Sequence, residues 1–301
     1  MMTSKENAAL IASLQNQPAL SGDTPVEWRE QLEAMFRDFP YAENVHREPF
    51  RLNHEVDGEW FRYGDRDGSI ILYTHGGGYM LGSTRSHGAL IANLAAASGI
   101  DALGVNYRLA PEHPFPCGLE DMVQAYQHLL TIGYSSERIA IVGDSAGAGL
   151  AAALLLTIRD RGLPRPACGV LISGWYDLSC GAPSLERNRS SDPLVVPGVL
   201  DVLANAYTGS GEARQNPLAS PLFANPSNLP PLLIQASTCE VLADDSVLFA
   251  DRARSAGVPV VLDMVKEMVH VWHQFAHLIP EGREAIERAG SFIRSHVVEC
   301  G

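Results

Sequence analysis

The stretch RIAIVGDSAGAGLAAALL, residues 138–155, decides how this chain folds. Four β-forming or small residues, Ile139 to Val142, run into Gly143. A single serine follows among small residues, and then alanine and leucine continue as a helix would. A strand that passes into a helix through glycines either cradles a phosphate or presents a reactive side chain. GAGLAA, residues 147–152, matches a loose dinucleotide fingerprint, yet Gly147 falls inside the expected helix rather than in the turn. No acidic residue ends a strand about 20 positions later, where a ribose contact would need it. No Gly-Lys-Ser/Thr occurs either, which excludes a Walker loop.

GDSAG, residues 143–147, fits the other use at every position. In a G-x-S-x-G elbow the serine sits on a turn too sharp for ordinary backbone angles, and the flanking glycines relieve the crowding. Ser145 is then lifted off the sheet above the free N–H groups of a helix start. A second motif, YTHGGGYMLGS at 73–83, places three glycines directly after another strand. Such a run has no packing value and carries an entropic cost, so its use is to bring backbone N–H groups to a ligand. Gly76 and Gly77, with Ala146, are therefore the expected oxyanion-hole donors.

Around these motifs the pattern alternates. Strands are expected at 48–53, 59–63, 69–74, 102–106, 138–142, 167–173, 231–236 and 258–265. Helices are expected at 86–97, 118–131, 146–159, 241–256 and 280–296. Near-continuous apolar strands separated by helices give an α/β fold, a mostly parallel sheet covered on both faces. The opening strands, with Asp-Gly turns at 57–58 and 67–68, should be antiparallel. Residues 1–40 read as helical, with Thr24-Pro25 as cap and first helical position. The Pro-, Asn- and Ser-rich stretch 181–227 breaks the rhythm and is expected to pack over the sheet with those helices as a cap, leaving 41–301 as the main domain.

Composition narrows the partners. A formal net charge of −13 argues against nucleic acid and anionic membrane surfaces. The longest nearly apolar run is too short to span a bilayer, and the N-terminus makes a poor secretory signal. Cys117, Cys168, Cys180, Cys239 and Cys300 are scattered and odd in number, which points to reduced thiols in a cytoplasm rather than a disulfide framework.

HGGGYMLGS, NYRLAPEHPFP at 106–116 and GDSAG together resemble the hormone-sensitive-lipase-like (family IV) esterases of the α/β-hydrolase fold. The likeness runs from about Leu72 to the C-terminus and is weakest across 181–229. It implies an eight-stranded sheet, a helical cap, ester hydrolysis without metal or cofactor, and a buttressing role for NYRLAPEHPFP. A triad on this fold follows the order serine, acid, histidine. MVHVWHQFA matches the family's loop histidine with His270, whereas His273 and His277 read as cap-facing or exposed and His296 as a surface residue. After the strand LLIQAS the family carries an aspartate, where this chain has Glu240; Asp244 and Asp245 are the alternatives for the acid. Asp144 and Asp177 read as structural.

The substrate is less legible. Trp28, Phe36, Met80, Leu81, Trp175, Leu194 and Trp272 are the apolar residues expected near the cleft, and they favour small to medium acyl esters. A lactone or an amide would use the same groups, and a non-catalytic ligand-binding relative shares the fold. Family members pair through an edge strand, which makes 258–265 the expected homodimer contact.

Overall fold

The computed structural model describes residues 3–16, 23–64, 68–209 and 211–297. An eight-stranded sheet forms the centre, in the order β1-β2-β4-β3-β5-β6-β7-β8. The strands are β1 (Val45–Arg51), β2 (Asp57–Tyr63), β3 (Ile70–Thr74), β4 (Asp101–Asn106), β5 (Ile139–Asp144), β6 (Cys168–Ile172), β7 (Leu232–Ser237) and β8 (Val260–Val265). β1 pairs antiparallel with β2, and β2 with β4; every other pairing is parallel.

Both faces of the central strands are buried because alternate residues enter different cores. Ile139 and Ile141 of β5 pack with α4 (Cys117–Thr131), α5 (Ala146–Asp160) and α8 (Ala243–Ser255). Ala140 and Val142 pack with α3 (Gly88–Ser98) and α9 (Pro280–Val297). This explains why these strands read as continuous apolar runs.

Outside the sheet lie α1 (Lys5–Gln15), α2 (Pro25–Phe36), the short α6 (Ser184–Arg187) and α7 (Pro197–Thr208). Thr24 caps α2 by accepting the Glu27 N–H, with Pro25 opening the helix. Among the described residues no helix is long and apolar enough to cross a membrane.

Two local expectations are corrected. Asp57-Gly58 starts β2 instead of turning the chain. The reversal is made at Asn53, whose side chain accepts the N–H of Glu55 and Val56. Gly58 is needed for approach: a Cβ there would lie 2.1 Å from Gly104 O on β4. The other turn, Asp67-Gly68, lies partly outside the described residues. β3 also departs from the antiparallel start, since it inserts between β4 and β5 and pairs parallel with both.

Candidate active site

β5 ends and α5 begins on either side of Ser145, which holds φ 54° and ψ −126°. A non-glycine residue there carries about 1–3 kcal/mol of strain and needs surroundings that over-determine it. The Ser145 N–H donates to Ile172 O at 2.8 Å, and its carbonyl accepts the Trp175 N–H at 3.1 Å. The two flanking glycines admit the end of β3. A Cβ on Gly147 would lie 2.2 Å from Thr74 O and 2.4 Å from His75 O, and one on Gly143 would lie 2.2 Å from Thr74 Oγ1.

Ser145, His270 and Glu240 are brought together. His270 Nε2 lies 2.8 Å from Ser145 Oγ, and His270 Nδ1 lies 2.9 Å from Glu240 Oε2. Glu240 follows β7 and is fully buried; its other oxygen accepts the Ser173 hydroxyl at 2.9 Å and the Ser237 N–H at 2.7 Å. His270 follows β8 in a loop held by Met268 N–H on Ser237 Oγ and Val271 N–H on Ser173 Oγ. Burial works to lower the His270 pKa, but the hydrogen bond and charge of Glu240 outweigh it, with smaller help from Asp192 and Asp144. The imidazole is held above its ordinary 6.5.

The alternative acids are engaged elsewhere. Asp244 pairs with Arg187 and accepts the Ser184 N–H. Asp245 is buried and accepts the N–H groups of Tyr176 and Asp177.

In the glycine loop one expected oxyanion-hole donor is engaged elsewhere. The Gly76 N–H donates to Asp144 Oδ1 at 3.0 Å, so it is not available to a substrate. Gly77 and Gly78 border the cavity instead. Ala146 opens α5, where an N–H has no acceptor within the helix. Asp144 also accepts the Tyr73 hydroxyl at 2.6 Å and pairs with His87 Nε2 at 3.3 Å. Burial would raise the Asp144 carboxyl, but the charge and hydrogen bond of His87 and the Tyr73 hydroxyl hold it below its usual range. His75 stacks on Tyr107 with ring centroids 4.4 Å apart, and Tyr107 donates its hydroxyl to His75 O at 2.8 Å. Burial drives the His75 pKa down to about 3, so that ring stays neutral.

Above Ser145 lies a cavity of about 380 Å³. Leu81, Trp175, Leu194 and Phe36 line it, with Leu32 and Met35 of α2 and Val199, Leu200 and Leu203 of α7. Met80 and Trp272, expected in this wall, are not among its residues. Met80 precedes cavity-facing Leu81 in a tight turn and packs into the main core, against which Trp28 also rests. Trp272 follows the left-handed Val271 and packs with Leu10, Phe36 and Phe275. His273 is likewise neither cap-facing nor exposed: it is fully buried, with Nε2 3.1 Å from Gln235 Oε1. His277 rests on the Phe39 ring.

One residue escaped the sequence reading. Asp192 is buried and accepts the N–H groups of Leu194 and Val195 through one oxygen and of Val241 through the other. Asn188 adds a bond from Nδ2 to Glu240 O at 2.7 Å. The cavity wall after α6 is thereby fastened to the loop that carries Glu240. Its signal was hidden in a stretch whose composition resembles an ordinary loop.

Comparison with known proteins agrees with this architecture. A family model described as alpha/beta hydrolase fold matches residues 71–274. An acetyl-hydrolase from Streptomyces hygroscopicus is 45% identical over 237 residues, 79% of this chain and 79% of that protein. An esterase from Acinetobacter venetianus is 32% identical over 287 residues, 95% of this chain and 94% of that one. Among solved structures, an esterase from the bacterial hormone-sensitive lipase family has a TM-score of 0.94 at 41% identity, covering 99% of this chain and 100% of that chain.

Proposed function

This chain belongs to the hormone-sensitive-lipase-like esterases of the α/β-hydrolase family, and we propose that it cleaves small to medium acyl esters through an acyl-enzyme on Ser145. The observation that carries the reading is the unbroken line from Ser145 Oγ through His270 to Glu240, at 2.8 and 2.9 Å, on the floor of an apolar cavity. His270 Nε2 takes the serine proton as Oγ attacks the ester carbonyl, and Glu240 steadies the imidazolium that forms. The carbonyl oxygen becomes negative facing the N–H groups of Gly77, Gly78 and Ala146. Each such donor stabilises the transition state by about 3 kcal/mol. The intermediate collapses, His270 gives its proton to the departing alcohol, and the acyl group remains on Oγ. Water then attacks that ester, its proton passing to His270 and on to Ser145 as the acid leaves. The acyl chain occupies the cavity, under a cap formed by α1, α2 and the segment around α7.

The test is Ser145→Ala. Turnover of p-nitrophenyl esters should fall by about 10⁵–10⁶-fold with unchanged thermal unfolding. An organophosphonate should label the wild type and not the variant. Ester turnover persisting in Ser145→Ala overturns the proposal.

A further inference from the structure

Helix α2 presents different faces to the cavity and to the glycine loop. Leu32, Met35 and Phe36 line the cavity. Arg29 and Glu33, one turn apart and so on one face, turn to the residues that follow the three glycines. Arg29 donates from Nε to Met80 O at 2.8 Å and from Nη2 to Ala110 O at 2.9 Å. Its fork is completed by Glu112 at 2.9 and 2.6 Å. Glu33 accepts the Ser83 hydroxyl, and the Arg85 guanidinium lies 3.8 Å from the same carboxylate.

These contacts reach the oxyanion donors within a few bonds. Gly77 O accepts the N–H groups of Met80 at 3.2 Å and Leu81 at 2.8 Å, which closes a turn beginning at the donors themselves. Ala110, whose carbonyl Arg29 holds, donates its own N–H to Tyr79 O at 3.0 Å. Gly77 and Gly78 stand at φ 112° and 63°. Glycines can leave such angles freely, so a loop built on them is only as well aimed as its anchors.

We infer that Arg29 and Glu33 are positioning residues: through Met80, Ala110 and Ser83 they hold the turn after Gly77 so that its amides face the ester oxygen as it turns negative. The inference rests on the proposed role of Ser145. The polar face of α2 then governs rate while its apolar face governs binding. A partly exposed ion pair that only docked the helix would contribute little and would leave rate untouched.

The experiment compares the full-length wild type with Arg29→Ala, Arg29→Lys, Glu33→Gln and Met35→Ala. Each is assayed with p-nitrophenyl butyrate and with a p-nitrophenyl phosphonate, whose P=O oxygen occupies the same anion site. Arg29→Ala should lower kcat about tenfold with KM within about twofold, and slow phosphonate labelling in parallel. Arg29→Lys should recover part of the loss, and Glu33→Gln should lose about threefold in kcat. Met35→Ala should instead raise KM. Should Arg29→Ala fail to fold, the kcat–KM split in Arg29→Lys and Glu33→Gln decides. Unchanged rates, or a rise in KM alone, in the Arg29 and Glu33 variants overturn the positioning role. A wild type that neither cleaves the ester nor takes the label overturns the Ser145 reading itself.

Discussion

Asp144 is next to Ser145 in sequence, yet its carboxylate turns back toward Tyr73, Gly76 and His87. That contact takes up the Gly76 amide, and it joins residues 68 positions apart. A motif read locally cannot supply it, which is why the glycine run was legible and its division of labour was not. The proposed acid has the same character. Glu240, Asp244 and Asp245 crowd into one short stretch, and only the path of the chain after β7 brings Glu240 to His270. His270 carries a further expectation. The proposed mechanism needs a neutral imidazole, and Glu240 stabilises the charged one, so protonation sets in at a higher pH than for a free histidine. Accordingly kcat/KM should fall as pH is lowered, with an apparent pKa above 6.5. A profile of p-nitrophenyl ester hydrolysis against pH checks this, and a midpoint at or below the ordinary histidine value contradicts it.

The strand–turn–helix element β5–Ser145–α5 owes its shape to close backbone approach. Because Gly147 faces the carbonyls of Thr74 and His75 at 2.2 and 2.4 Å, an added methyl has no side chain to displace. Gly147→Ala should destabilise the protein by about 3 kcal/mol or more. Gly198, exposed in the first turn of α7 with open space around it, should respond in the opposite sense. Gly198→Ala should stabilise by about 0.5–1 kcal/mol through helix propensity and a less flexible unfolded chain. Denaturant unfolding of both variants measures the contrast. Elements were legible because period and apolar runs report which faces are buried. Neighbours were less so: nothing in the Ile70–Thr74 run says that β3 slots between β4 and β5, since that is a choice among distant partners.

Across the whole molecule the residues of the proposed mechanism gather at one end of the sheet. The glycine loop follows β3, Ser145 follows β5, Glu240 follows β7 and His270 follows β8, while the walls above them come from α1, α2 and the segment through α7. Those walls were the least legible part, because segments outside the sheet have no strand period to fix which side chains face inward. Met80 and Trp272 show it, each one residue from a side chain that does line the cavity. If the acyl chain lies there, Val199→Trp should shorten it. Relative to acetate, hydrolysis of p-nitrophenyl hexanoate should drop at least about tenfold in kcat/KM. An unchanged ratio would place the acyl chain elsewhere. Finally, Asp192 ties the wall at Leu194 and Val195 to the backbone at Val241, next to Glu240. Under the proposed mechanism, an acyl group too bulky for the chamber would press on a wall that is hydrogen-bonded to the backbone beside Glu240. On that reading a poor fit would cost rate as well as affinity.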